Sequence, residues 1–302
     1  LRIGRCRYGL MLDEQGAVMD DGIAARLGPS RFLLSTSSGH AGVVGAWLEE
    51  WLQCEWPGLD VVVQPVTSGF ATLTVAGPLS RQVLEALQPA LDLSDSGLAH
   101  MAFVEATIGD ASCRIARVSF TGERSYEISV PADQGSTLWD AILAAGAPLR
   151  IAPIGVEAVM RLRLEKGFLH VGVDTDATTY PQDLGYGGSA GRKVRDFIGL
   201  RSTKRAGGGY RRQLVGVETL DPTAEIPIGS HLSATNAPDR SDGWVTSSGF
   251  SPSLGRWVAL ALVENGLSRL GEELMMSNQG QRAAVRLQQT CAYDPNGERL
   301  NA

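Results

Sequence analysis

Met19-Asp20-Asp21-Gly22, in the second arm of a hairpin, and Ser125-Tyr126-Glu127-Ile128-Ser129-Val130, which follows Phe120-Thr121-Gly122-Glu123, set carboxylates on strands among apolar neighbours. The strand-like runs Tyr8 to Leu12 and Ala17 to Leu27 are joined by the polar turn Asp13-Glu14-Gln15-Gly16, a hairpin signature. A second turn at Gly28-Pro29-Ser30 leads into Phe32-Leu33-Leu34, so the opening reads as a β-meander. Neighbouring strand residues point to opposite faces, so Asp20 and Asp21 diverge and at most one faces an interior. Burial of that carboxylate is costly unless cations or hydrogen-bond donors accompany it. The same alternation puts Tyr126, Ile128 and Val130 on one face of their strand and leaves Glu127 and Ser129 on the other.

Beyond the meander the period changes. Val43, Val44, Trp47, Leu48, Trp51 and Leu52 recur at helical spacing until Pro57 and Gly58, which predicts an amphipathic helix over a sheet with its tryptophans in the core. Val61 to Val75 reads as strand again, and Ser80 offers an N-cap to a helix through Val83, Leu84 and Leu87. Strands follow at Cys113 to Val118 and Tyr126 to Val130, then a helix marked by Leu138, Trp139 and Ile142. Strand, helix, two strands, helix is the signature of a ferredoxin-like α+β unit. Val156 to Glu165 is one more helix, ended by Gly167, and the polar stretch Asp174 to Gly191 reads as a loop lining a site.

Three glycines, Gly207 to Gly209, place the principal boundary, dividing the chain into residues 1–206 and 207–302. Leu214 to Val217, Gly243 to Ser247, Trp257 to Val263 and Ala283 to Leu287 in the second part read as a small β-barrel. The glycine-rich run Gly185 to Gly191 lacks the Gly-Lys-Ser/Thr ending of a phosphate loop.

A length of 302 residues with 43% hydrophobic and 20% charged residues describes an ordinary globular chain of two or three units. The net charge of -6 offers no basic field for nucleic acid. The longest apolar runs, such as Val258 to Val263, fall far short of the ~20 residues that span a bilayer. Cys6, Cys54, Cys113 and Cys291 are dispersed without a C-x-x-C pair or nearby histidines, which suits thiols in a reducing cytosol and no metal site. A cytoplasmic protein that binds neither nucleic acid nor membrane is the expectation.

These carboxylate segments, with Val245-Thr246-Ser247-Ser248-Gly249 and Phe250-Ser251-Pro252-Ser253-Leu254-Gly255, resemble the glycine-cleavage T-protein (aminomethyltransferase) family of tetrahydrofolate-dependent proteins. Arg7-Tyr8-Gly9-Leu10-Met11-Leu12, Asp183-Leu184-Gly185, Asp196-Phe197-Ile198-Gly199 and Tyr293-Asp294-Pro295 are similar to the carboxy-terminal folate domain of heterotetrameric sarcosine oxidase alpha subunits. The likeness spans almost the whole chain, beginning after the family's opening strands and helix. It implies folate-binding domains followed by a C-terminal barrel, with Asp21 as the catalytic carboxylate beside folate N5 and N10. Methylene transfer to those nitrogens passes through cationic species that a fixed carboxylate stabilises. Glu127 then hydrogen-bonds the aminopyrimidine edge of the pterin, where a carboxylate accepts two parallel N–H bonds. Asp20, Ser35, Thr36, Phe120 and Glu165 complete the implied folate-binding set, with a helix-end or loop-bracing role for Glu165 as the competing reading.

Two positions depart from the family pattern: Phe120 replaces a tyrosine and Gly188 a site-lining tryptophan. The implied function is capture, as 5,10-methylenetetrahydrofolate, of the one-carbon unit of an oxidised N-methyl amine such as sarcosine. FAD, FMN and NAD are expected only on other domains or subunits, and the other sarcosine oxidase subunits are the expected partners. The alternatives are a stand-alone aminomethyltransferase of the glycine cleavage system, working with a lipoyl carrier protein, and a non-catalytic folate-binding or structural remnant. The iron-sulfur maintenance proteins of this fold carry Lys-Gly-Cys where this chain has Lys166-Gly167-Phe168.

Overall fold

The hairpin expected around Asp13–Gly16 is the first element of the structure, a computed structural model that describes residues 1–87, 91–186, 196–205 and 211–302. Strands β1 (Cys6–Leu12) and β2 (Val18–Arg26) flank the turn, and β3 (Phe32–Thr36) completes a sheet of order β1-β2-β3. Gly16 takes a φ of +86° where the Asp13 and Ala17 backbones close the turn, a conformation that suits a residue without Cβ. Gly22 permits a second close approach, since a Cβ there would sit 1.8 Å from the Ser35 carbonyl oxygen across the β2–β3 ladder.

Helix α1 (Ala41–Glu50) follows, continuing through one wide turn to Glu55. Val44 alone is buried in it; Trp47 and Trp51 are half-buried, so the tryptophans edge the core rather than fill it. The strand expected from Val61 onwards starts only at β4 (Phe70–Ala76). Val62 stands 88% exposed, and Pro65, which has no N–H to donate to a ladder, follows it. Helix α2 (Ser80–Leu87) forms where expected, with Ser80 as its first residue and the Ser80 hydroxyl donating to the Arg124 carbonyl.

Strands β5 (Phe103–Ile108), β6 (Ala111–Ala116) and β7 (Ser125–Pro131) join β4 in an antiparallel sheet of order β4-β7-β6-β5. Sequence reading omits the edge strand β5. Helix α3 (Gly135–Gly146) buries Leu138 and Ile142 in one core with Val83 and Leu84 of α2 and Tyr126, Ile128 and Val130 of β7. The opposite face of this sheet packs Phe103, Ala116 and Val118 against Cys6, Ile23, Ala25 and Leu33 of the meander.

Strands β8 (Arg212–Thr219), β9 (His231–Ala234), β10 (Gly243–Ser251), β11 (Arg256–Glu264), β12 (Glu273–Asn278) and β13 (Gln281–Gln288) close into a barrel of order β10-β11-β8-β13-β12-β9. Four of the six match expectation; β9 and β12 are additional. Val215, Val217, Leu232, Val245, Leu274 and Val285 fill its interior.

The chain divides into two compact units, one of Leu1–Gly9, Asp20–Ile154 and Gly297–Ala302, the other of Leu10–Met19 and Gly155–Asn296. The expected boundary at 206 lies outside the described residues. Helix α4 (Val156–Lys166), ended by Gly167 at φ +71°, goes with the barrel. Its buried Arg163 and Glu165 bond to Ser247 and Ser251 of β10.

Candidate functional site

Glu127 sits in a row that crosses the four-stranded sheet. Thr74, Glu127, Ala116 and Phe103 are direct partners on successive strands, so their side chains share one face. Phe103 and Ala116 pack on the meander, which fixes that face as the one turned towards β1–β3. On β2, Asp21, Ile23 and Ala25 alternate onto a single face, and Ile23 and Ala25 meet the same cluster from the other side. Asp21 and Glu127 therefore project into one layer between two sheets. Ser35, opposite Ile23, shares the Asp21 face, while Thr36, opposite Gly22, lies with Asp20 on the reverse.

The two carboxylates are held differently. Tyr8 donates its hydroxyl to Asp21 Oδ2 at 2.8 Å. Glu127 is half-buried, and burial alone pushes its carboxyl above the usual glutamate range. Among the described residues nothing donates a hydrogen bond or forms an ion pair to it. Its charge reaches β1: burial first and Glu127 second push the Cys6 thiol up to about 11.

Asp20, on the far side of β2, is wholly buried. It accepts the Ser37 backbone N–H at 3.1 Å and lies 3.4 Å from His40 Nδ1. Phe120 is half-buried in the connection from β6 to β7. Glu165 belongs to the other unit, where its carboxylate accepts from Ser251 and Ser253 and its carbonyl from Ala292 and Tyr293. Among the described residues, its hydrogen-bond partners are hydroxyls and backbone amides. Gly188 lies outside the described residues.

Two features escape sequence reading. The Tyr8–Asp21 bond joins side chains 13 positions apart on two strands, a pairing that no local pattern announces. The second is Asp174, wholly buried in the barrel unit. It accepts from Arg163 Nη1, Thr246 Oγ1 and Ser247 Oγ, each at 2.6 Å, and from the His170 amide at 3.1 Å. The β10 ladder shifts register between Val245 and Ser247, and this bulge brings two successive hydroxyls to one carboxylate. An open polar cleft in the same unit, lined by Asp176, Thr178, Thr179, Arg211, Arg212, Leu262 and Glu264, is largely self-paired. Asp176 is held by Thr178 and Thr179, and Arg211 by Asp183. Among the described residues no cluster of His, Cys, Asp and Glu has the makings of a metal site, and no helix is long and apolar enough to cross a membrane.

Comparison with known proteins agrees with this architecture. Residues 1–191 match the GCVT N-terminal domain and residues 212–294 the glycine cleavage T-protein C-terminal barrel domain. A sarcosine oxidase subunit alpha of Corynebacterium sp. (strain P-1) is 42% identical across 99% of this chain, and one of Rhizobium meliloti is 38% identical across all of it. The chain spans only 32% and 31% of those two proteins. An aminomethyltransferase of Geobacillus thermodenitrificans is 31% identical over 97% of this chain and 78% of its own length. The crystal structure of glycine cleavage system aminomethyltransferase T from Bartonella henselae superposes with a TM-score of 0.83 at 26% identity, covering 98% of this chain and 78% of that one. On both sequence and fold, the chain belongs to the glycine cleavage T-protein, or aminomethyltransferase, family.

Proposed function

We propose that this chain binds tetrahydrofolate between the meander and the four-stranded sheet and serves as the one-carbon-capturing part of a sarcosine oxidase alpha subunit. The observation that carries this reading is the placement of Asp21 and Glu127 on facing sheets, one bonded to Tyr8 and the other desolvated without a donor among the described residues. Glu127 fits a pterin edge because an amino-pyrimidine offers the paired N–H groups that this carboxylate lacks.

Bound there, tetrahydrofolate would supply amine nitrogens able to take up a one-carbon unit at the aldehyde oxidation level, with water leaving if the donor is formaldehyde and the parent amine leaving if it is an iminium. Asp21 would face those amines, where its carboxylate would stabilise developing positive charge and take up a proton, and Tyr8 holds that carboxylate in place. Glu127 orients the ring, with Ser35 on the same side as Asp21. Asp20, Thr36 and Glu165 are assigned to support, since their polar groups are turned to the reverse face or held within the barrel unit. Oxidation of the N-methyl amine, on this reading, takes place at a flavin on another subunit, and cytoplasmic residence in a heterotetramer follows from the same assignment. Support for sarcosine over the glycine-cleavage substrate comes from the higher identity to the sarcosine oxidase subunits.

The test is titration with tetrahydrofolate by calorimetry and tryptophan fluorescence, paired with the rate of formaldehyde trapping as 5,10-methylenetetrahydrofolate. Asp21→Asn is expected to lower that rate about 100-fold or more, with a smaller effect on affinity. A wild-type chain without measurable tetrahydrofolate affinity sinks the proposal. Stimulation by an aminomethyl-loaded lipoyl carrier protein instead of by formaldehyde moves the assignment to a glycine-cleavage enzyme.

A further inference from the structure

Asp20 and Asp21 are consecutive, yet their surroundings have nothing in common. Asp20 is turned to the start of α1, where Ser37 begins a short helical turn and His40 precedes the helix proper. Neither Ser37 nor His40 caps its helix with its own side chain. Helix starts leave backbone N–H groups without partners and carry a partial positive charge, and a carboxylate satisfies both. Asp20 provides one from β2: Oδ2 accepts the Ser37 amide at 3.1 Å. Among the described residues Oδ1 makes no hydrogen bond, and it lies 3.4 Å from His40 Nδ1, whose side chain is 43% exposed.

This contact clamps the entry of α1 to the strand that carries Asp21. Because side chains alternate along a strand, holding Asp20 on one face holds Asp21 on the other. Immediately beyond, Gly22 lets the β3 backbone approach to a distance that no Cβ permits, so the strand is gripped on both sides of Asp21.

We infer that Asp20 is a positioning residue, which through Ser37 and His40 fixes the β2 backbone and so sets the direction of the Asp21 carboxylate. The inference rests on the folate reading for what Asp21 does, though not for how it is held. Asp20→Asn keeps an oxygen for the Ser37 amide but loses the charge facing His40; Asp20→Ala loses both. Asp20→Ala is expected to lower the rate of formaldehyde trapping about tenfold, the equivalent of one good hydrogen bond. Its tetrahydrofolate affinity stays within about threefold, since Glu127 holds the ring, and Asp20→Asn recovers most of the loss.

A second readout needs no folate: the carboxyl ¹³C resonance of Asp21 and the hydrogen exchange of the Ser37 amide. Both are expected to change in Asp20→Ala and much less in Asp20→Asn. A folded Asp20→Ala with unaltered Asp21 resonance and unaltered trapping rate overturns the inference. If Asp20→Ala does not fold, Asp20→Asn and His40→Gln carry the same readout, and an unmoved Asp21 resonance in both overturns it. Failure of the wild-type chain to bind tetrahydrofolate removes the folate reading, while the Asp21 resonance still decides the positioning role.

Discussion

Asp174 and Glu127 are both withdrawn from water, one in the barrel unit and one in the unit built on the meander, and they are treated in opposite ways. Asp174 receives a guanidinium, two hydroxyls and an amide, which is the arrangement that makes a buried charge tolerable. Glu127 receives nothing among the described residues, and its carboxyl is pushed up by desolvation. A carboxylate that serves the fold is saturated by the fold. One left short of donors is a cost the folded chain carries, which makes sense where a ligand completes the set.

The sharpest way to break this comparison is to remove the saturated member. Asp174→Ala leaves Arg163 buried and uncompensated beside Ser247, and deleting one partner of a buried pair costs about 3–5 kcal/mol. The expected result is a large fall in the denaturation midpoint of the barrel unit, followed by circular dichroism in urea. An Asp174→Ala chain as stable as wild type would show that saturation of a carboxylate is no guide to its role here.

Glu127→Gln is the complementary change, and its effects on stability and binding have opposite signs. Burial raises the folded-state pKa of Glu127, so the folded chain keeps that proton to a higher pH than the unfolded chain does. Between the two values the folded state binds more protons, and stability falls as pH climbs from the usual range near 4.5 towards the raised value. Glu127→Gln removes the loss. The variant is expected to melt above wild type at pH 7 and level with it near pH 4, while its tetrahydrofolate affinity falls about 10- to 100-fold, the worth of a hydrogen bond to a charged group. Melting curves across pH 4 to 8, with and without ligand, check both halves.

What the sequence discloses follows the same division between local and assembled features. The hairpin at Asp13–Gly16 and the alternation that turns Glu127 away from Tyr126 and Ile128 are local, and both stand in the structure. Strand propensity misleads where neighbours decide. Val61 and Val62 are β-branched but have no sheet to join, whereas Phe103–Ile108, with Glu105 in its middle, pairs along one side with β6. In the barrel, His231–Ala234 is only four residues long and Glu273–Asn278 contains no β-branched residue, so neither announces itself. The carboxylates Asp21 and Glu127 are readable as candidates; that they face the same layer is not, because it depends on two sheets packing through Cys6, Ala25, Ala116 and Phe103. Asp174 is the converse, a plain loop aspartate in sequence that only the bulge in β10 turns into the hub of a network.

The finest distinction lies within the site, at Tyr8. Its hydroxyl is a donor to Asp21, as the hydroxyls of Thr246 and Ser247 are donors to Asp174, so loss of the donor probes whether the two carboxylates answer alike. Tyr8→Phe keeps the ring and its packing, which limits the effect on stability to about 1 kcal/mol, the net worth of an ordinary hydrogen bond. On the catalytic side, the hydroxyl fixes the Asp21 carboxylate, so its loss is read in the rate of formaldehyde trapping. The rate at pH 7 is expected to fall about 3- to 10-fold with little change in tetrahydrofolate affinity. Ser247→Ala, the matching change in the barrel, is expected to shift the denaturation midpoint and leave the trapping rate where it was. If Tyr8→Phe instead lowers stability and leaves the trapping rate unmoved, Asp21 belongs with Asp174 among the carboxylates that serve the fold.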